Sequence, residues 1–456
     1  MKKMMRLWHK HNANIVLIVL LVVFTFYATF LALKLKRAIV PDEPYRFEVS
    51  QHFATTWGIP DDVAVAEYYG EDLHRNPYLG YWIFARIINI QDLIAPSGGE
   101  RQTLVFLRMA NVLFALGTVL YGFFISKELI KHKWWRLLPV FLVTNTLMFV
   151  FLSGGVSYDN PTNFFCAASL FYLIRVLNKK SFLSNTLGWV IFILIGSLIK
   201  TTVLPLALVM VVVWLIFVLK NRKEITLSGV KDWKTICLFI ILVIVLAFII
   251  GLYGVNVIKF QSLTPACRDT FSTEICQATP FAIRQKELGL PEKLSVLEAF
   301  KRGYPEPIRY TFDSWIPEMM KRIFGIMAHK NYFPIATSYI QIALLWVLFL
   351  GARYSKKPGD IFLSLLGIFS FYTLTLIAIN YNTELVYGFD KFVALQGRYI
   401  FPVITIAVVL IAIILTKVQH KLTRFVTAGV LIVLFLYSGP IRFLWYYSSV
   451  FADWFI

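Results

Sequence analysis

The run Asn14-Ile-Val-Leu-Ile-Val-Leu-Leu-Val-Val-Phe-Thr-Phe-Tyr-Ala-Thr-Phe-Leu-Ala-Leu-Lys-Leu35 carries one charge, near its end, and passes directly into Lys36-Arg-Ala-Ile-Val-Pro-Asp42-Glu43-Pro44. At ~1.5 Å per residue a helix of this length crosses the ~30 Å hydrocarbon layer of a bilayer. Similar runs recur along the chain, which is 58% hydrophobic with 40 Phe and only 16% charged residues. Soluble domains have about half apolar and about a quarter charged residues. The 456 residues therefore read not as several soluble domains but as an all-α polytopic membrane protein.

Spans are expected near 14–35, 104–126, 137–153, 160–177, 183–199, 203–219, 235–257, 335–352, 361–379, 400–416 and 425–442, about eleven in all. Lys and Arg number 45 against 26 Asp and Glu, a formal charge of +19. Nucleic-acid binding is one use of such an excess, but here the cations are spread over short loops between apolar runs. Alternate connections carry Lys2, Lys3, Arg6, Lys127, Lys131, Lys133, Lys179, Lys180, Lys220, Arg222, Lys223, Arg353, Lys356, Lys357, Lys421 and Arg424. The positive-inside rule makes these the cytoplasmic loops, with the N-terminus inside and the C-terminus outside. The first run is too long for a cleavable signal and lacks a small-residue cleavage site, so it reads as the first span.

The other connections differ in kind. Residues 36–103 hold ten Asp or Glu, 258–334 is comparably long, and 380–399 is short but polar. Function is expected on that outer side of a cell membrane. The chain divides into an N-terminal membrane module (1–257) containing the first outer loop, a long outer loop (258–334), and C-terminal membrane helices (335–456). Cys267 and Cys276 lie nine apart in the second loop and read as a local disulfide in an oxidising exterior. A zinc pair is the competing reading, without a second ligand pair nearby. Cys166 and Cys237 fall within spans as packing residues.

In the first outer loop, two carboxylates, Asp42 and Glu43, stand between prolines at the membrane surface. Phe47, Phe53 and Trp57 then suggest a short interfacial helix, and Asn76-Pro77-Tyr78-Leu-Gly-Tyr81-Trp82 opens a second over 77–94. This arrangement resembles the GT-C superfamily of integral-membrane glycosyltransferases. In that family an Asp or Asp-Glu pair opens the first outer loop, and two juxtamembrane helices follow. Asp42-Glu43 matches the first element, and Asn76–Tyr81 matches loosely the Pro-containing motif that begins the second helix. Leu395-Gln-Gly-Arg398-Tyr-Ile-Phe-Pro402 looks like the Gln-Gly-Arg-Tyr…Pro motif of one branch assigned to the same superfamily. The resemblance implies a polyprenyl-phosphate sugar such as an undecaprenyl-phosphate sugar as donor, and a glycan, glycolipid or other hydroxyl as acceptor, in cell-envelope polysaccharide chemistry.

On that resemblance Asp42 is the general base; its alternative is to cap the helix that follows. Glu43, Asp159 and Tyr78 are candidates for acceptor or sugar binding, and Asp159 or Asn160 equally suits a helix cap. Lys200, on a short outer turn against the positive-inside trend, and Arg398 are candidates to hold the lipid phosphate. Snorkelling to headgroups is the alternative for Lys200, and an ion pair with Asp390 or Glu384 the alternative for Arg398. Trp315, Tyr304, Tyr310 and Tyr332 offer sugar-stacking faces or membrane anchors.

His52, His74 and His329 share no ligand spacing. No metal signature emerges, and no cofactor beyond the lipid-linked substrate is expected; the acidic residues leave room for a divalent ion without calling for one. No phosphate-binding Gly-Lys-Ser/Thr loop, nucleophile elbow or zincin motif occurs. A glycan flippase or transporter, or a polysaccharide polymerase or ligase, is the alternative function.

Overall fold

The computed structural model describes residues 2–61, 63–96, 99–225, 232–287, 296–327, 331–354, 359–387, 392 and 395–456. Among these, nine helices are long and apolar enough to cross a membrane: Asn12–Lys34, Glu100–Leu129, Phe182–Ile199, Thr201–Asn221, Trp233–Phe260, Ala336–Tyr354, Asp360–Leu385, Gly397–Lys417 and Lys421–Tyr447. The chain is a polytopic α-helical membrane protein. Its first half comprises α1 (Lys2–Lys34), α2 (Glu43–Ala54), α3 (Ala64–Tyr68), α4 (Leu79–Ile94), α5 (Glu100–Leu129), α6 (Leu137–Thr144), α7 (Leu147–Ser153), α8 (Asp159–Leu177), α9 (Phe182–Ile199), α10 (Leu204–Asn221) and α11 (Trp233–Ile249).

The two remaining expected spans take a different form. Residues 137–153 are two short helices broken at Asn145-Thr146, and α8 opens on the polar Asp159-Asn-Pro-Thr-Asn. Both stretches are enclosed by protein, with every residue of α7 buried. Broken or polar helix is tolerated at membrane depth where neighbouring protein satisfies the backbone. At the break, Thr144 Oγ1 donates to the Val140 carbonyl at 2.9 Å, Asn145 Nδ2 to Phe141 at 2.9 Å and Thr146 Oγ1 to Leu142 at 2.8 Å. Two helices too short to cross a bilayer, and one that opens on polar residues, are packed here among protein neighbours.

The basic connections gather at one end of the bundle. Lys180 pairs with Glu128 at 2.6 Å, Lys179 with Glu224, and Lys220 with Asp360 at 3.8 Å. Lys356 and Lys357 lie outside the described residues. At the opposite end the chain tail returns to α1: Lys36 N–H donates to the Trp454 carbonyl and Ile456 N–H to Lys34, both at 2.8 Å. The first loop is at this end too, with α2 and α4 packed through Phe53 stacked on Tyr78 and Tyr81. Cys267 and Cys276 are joined as a disulfide. A Cβ on Gly70 would meet Cys267 Sγ at 3.0 Å, so the bridged segment lies directly on the first loop.

Candidate active site

Asp42 sits immediately before α2 with φ 60° and ψ 10°. A left-handed backbone is disfavoured for a residue with a Cβ, and Asp is among the few that visit it. Its side chain does not cap α2. Instead Oδ2 accepts from Arg398 Nη2 at 2.6 Å and from Arg46 Nη2 at 3.0 Å. Oδ1 has no hydrogen-bond partner among the described residues, and the side chain is half exposed. The loop thus holds one carboxylate oxygen between two guanidiniums and leaves the other open.

Glu43, one residue on, has the opposite environment. Its fully buried carboxylate receives Arg108 Nε at 2.8 Å, Arg108 Nη2 at 2.6 Å and the Val156 N–H at 2.9 Å. Arg108 also donates to the carbonyls of Ala32, Leu35 and Lys36. Glu43, a candidate from the sequence to bind sugar or acceptor, is instead enclosed by these bonds. It fastens the start of α2 to the exit of α1, to α5 and to the turn after α7. Gly155 permits this approach, since a Cβ there would collide with Val40.

Asp159 is likewise enclosed, at 2% exposure. Its carboxylate pairs with Lys200, accepts from Ser157 Oγ at 3.1 Å, and lies 3.6 Å from Arg46 Nη1 and 3.5 Å from Arg398 Nη1. Direct sugar binding is closed to it; it anchors three cations instead. It does not cap α8 through its side chain, because the preceding residue, Tyr158, occupies the cap position and no capping bond forms. Asn160 Nδ2 donates to the Leu152 carbonyl at 2.9 Å. Lys200 is buried, not snorkelling, with Nζ 4.6 Å from the Tyr399 ring centroid and 5.4 Å from that of Tyr158.

Arg398 reaches the cluster from the 3-10 helix Gly397–Val403 that opens the span Gly397–Lys417, seated by Gly397, where a Cβ would strike the Arg322 backbone. Its ion-pair partners are Asp42 and Asp159, not Glu384, and Asp390 lies outside the described residues. Its Nε and Nη1 are buried without hydrogen-bond acceptors.

Three cations, Arg46, Lys200 and Arg398, thus face two carboxylates, Asp42 and Asp159. These five groups alone have one positive charge in excess; Glu71, hydrogen-bonded by Tyr45, lies close enough to act on Arg46 and Asp42, and burial raises its carboxyl toward the neutral form. Burial alone would raise the Asp42 carboxyl, but Arg398 and Arg46 outweigh it and hold it at about 2. Burial lowers the Lys200 ammonium to about 8 even though Asp159 opposes the shift. At neutral pH Asp42 is ionised and Lys200 is charged but readily deprotonated. An anion entering beside Arg398 finds unused donors and net positive charge.

Arg46, Ser157 and Arg108 were not singled out from the sequence. Arg46 follows Asp42 by four residues, the spacing that places two side chains on one helical face, and its guanidinium donates to Ser157 Oγ at 2.6 Å. Arg108 interrupts an apolar run, which is itself a signal of function or structure. Tyr78 is half-buried and stacked on Phe53. Tyr310, Trp315 and Tyr332 are buried, which removes them as open stacking faces; Trp315 Nε1 donates to Asn380 at 2.9 Å. His74 pairs with Asp61 at 2.8 Å, and His329 lies outside the described residues. Among the described residues no three His, Cys, Asp or Glu side chains converge as a metal site would require.

Fold and site together define a polytopic membrane protein that concentrates buried charge at the bundle end carrying its long loops. No family model matches the chain, and no curated protein does. Among solved structures it is similar to ArnT from Cupriavidus metallidurans bound to undecaprenyl phosphate, at 12% identity and a TM-score of 0.46 over 90% of this chain and 62% of that one. It is also similar to the archaeal oligosaccharyltransferase AglB from Archaeoglobus fulgidus in complex with an inhibitory peptide and a dolichol-phosphate, at 12% identity, a TM-score of 0.42, and 95% and 55% coverage. The apo oligosaccharyltransferase from Archaeoglobus fulgidus gives a TM-score of 0.48 at 12% identity, with 92% and 55% coverage. The chain spans about three fifths of the ArnT chain and just over half of the oligosaccharyltransferase.

Proposed function

We propose that this protein is an inverting glycosyltransferase that moves a sugar from a polyprenyl-phosphate carrier to an acceptor hydroxyl. With the basic loops cytoplasmic, as the positive-inside rule has them, the reaction takes place on the outer face. One observation carries the reading: Arg398 bonds the half-exposed carboxylate of Asp42 while keeping two buried donors unused.

The phosphate of the donor takes those donors and the Lys200 ammonium, satisfying the excess positive charge. By drawing Arg398 away from Oδ2 it also relieves the depression of the Asp42 carboxyl, so donor binding strengthens the base. The acceptor hydroxyl gives its proton to Asp42 Oδ1. Its oxygen forms the new bond to the anomeric carbon, and the bond from that carbon to the phosphate oxygen breaks with its electron pair going to the phosphate. Asp159 and Ser157 hold the cations in place and touch no substrate.

A cavity of about 400 Å³ supports the lipid part of this reading. It is lined by Tyr399, Thr202 and Pro205 on one side and by Tyr372 and Leu376 of the helix Asp360–Tyr387 on the other. Tyr399 also lies under Lys200, so a prenyl tail in this groove puts its phosphate at the cluster.

The test is Asp42→Asn. Surface glycans of cells carrying wild-type or variant protein are compared by mass spectrometry, and binding of a short polyprenyl phosphate to the purified proteins is measured. The variant loses roughly 10²–10⁴-fold in transfer, the range of a general base, while still binding the lipid phosphate. Unchanged glycans with Asp42→Asn would falsify the reading.

A further inference from the structure

At the bundle end remote from Asp42, a cavity of about 820 Å³ opens between α1, α6 and the helix Lys421–Ser438. That is within the ~300–1,000 Å³ range of pockets that enclose small ligands. Its walls are apolar, formed by residues such as Val16, Leu20, Phe141 and Ile432. Its mouth is basic, with Lys131 on one side and Arg424 on the other.

The Arg424 guanidinium lies 5.7 Å from the Trp135 ring centroid and 5.2 Å from that of Phe425. The two rings stack on each other at 5.9 Å, and Arg424 lines the cavity beside them. It makes no side-chain hydrogen bond or ion pair with any described residue, and its Nε is buried without an acceptor. Lys131 also has no acidic partner among the described residues, and the acid nearest in sequence, Glu128, is paired with Lys180. Two unneutralised cations therefore stand over an apolar groove in a protein that lives in lipid.

We propose that this cavity binds an anionic phospholipid, one acyl chain in the groove and the phosphate on Arg424 and Lys131. Charge and shape select that occupant. A free phosphate has no use for the groove, and a zwitterionic lipid brings its own cation to a mouth already positive. A guanidinium beside two aromatic rings, with hydrogen-bond donors unused, is suited to two phosphate oxygens at once. Trp134, 42% exposed beside Trp135, is the kind of side chain that settles at headgroup depth. The site does not depend on the glycosyltransferase reading, because it lies at the other end of the bundle and shares no residue with it.

The experiment titrates the purified full chain, in neutral detergent, with phosphatidylglycerol and with phosphatidylcholine of the same chains, reading bound lipid by native mass spectrometry. Phosphatidylglycerol is retained in preference. Arg424→Gln and Lys131→Gln each weaken it about fivefold, the effect of removing one cation from a lipid headgroup site, without weakening phosphatidylcholine. Arg424→Lys keeps most of the preference, and Ala428→Trp, which fills the groove, lowers both lipids. Unchanged melting in lipid-free detergent shows that each variant is folded. Equal binding of the two lipids by the wild type, or an Arg424→Gln variant that retains the preference, overturns the proposal. Displacement of the lipid by millimolar inorganic phosphate also overturns it, assigning the site to a free anion.

Discussion

Lys200 is where pH should act. Asp42, held at about 2, stays ionised from mildly acid to alkaline pH, so on the proposed function it contributes no acid limb. Lys200 is different, because burial lowers its ammonium to about 8. The charged form is the one that meets a phosphate, and it is lost as pH rises through that value. On the proposed function, kcat/KM for the lipid-linked donor falls above about pH 8. Bound phosphate favours the ammonium, so the corresponding limb of kcat lies at higher pH. Lys200→Arg, whose guanidinium does not titrate in this range, removes the limb while retaining binding. A pH profile of donor turnover for the two proteins measures this directly, and an alkaline limb that survives in Lys200→Arg rules Lys200 out as its source.

At the scale of elements, α2 is positioned by the Glu43–Arg108 pair, with Arg108 also gathering three carbonyls from the exit of α1. Removing one partner of a buried pair leaves the other charged and unmatched, which costs about 3–5 kcal/mol. Glu43→Ala should lose that much in denaturant unfolding of the detergent-solubilised protein. Arg108→Met should lose at least as much, since the carbonyls are deprived as well. A loss within about 0.5 kcal/mol for Glu43→Ala, the size of an ordinary surface change, would show that the pair does not hold α2. Most of the elements were legible from apolar runs, because a helix facing lipid must be apolar along its length. The break at Asn145-Thr146 was hidden: its side chains satisfy the backbone inside protein, where hydropathy carries no signal. Asp42, Lys200 and Arg398 were legible as candidates from their positions at the ends of spans. Their convergence through Asp159 was not, since pairs such as Asp42 and Arg398 are remote in the chain and only packing brings them together. Adjacent Asp42 and Glu43 look alike in sequence, and their separation into an open and an enclosed carboxylate depends on which way α2 turns from α1.

Across the whole molecule, the two long loops act on the site together. The disulfide Cys267–Cys276 lies against Gly70; the next residue, Glu71, accepts a hydrogen bond from Tyr45 on α2, the helix that Asp42 immediately precedes. Asn256 Nδ2, at the root of the second loop, donates to the Arg75 carbonyl of the first at 2.8 Å. A chain of contacts therefore runs from the bridged segment to α2 beside Asp42, which on the proposed function is the side where the acceptor arrives. Lys200 and Arg398 are carried by separate elements, the end of α9 and the 3-10 helix Gly397–Val403, and meet this path only at Asp42, through Arg398. Cys267→Ser with Cys276→Ser releases a short loop whose closure is worth about 2–3 kcal/mol, roughly a hundredfold in the population of its open form. The double variant should be cut faster by protease within 258–287 and show a raised KM for acceptor, with binding of a short polyprenyl phosphate unchanged. If lipid-phosphate binding fell in parallel with acceptor use, the loops would be bracing the cation cluster as a whole, and the separation of acceptor and donor sides argued from these contacts would be wrong.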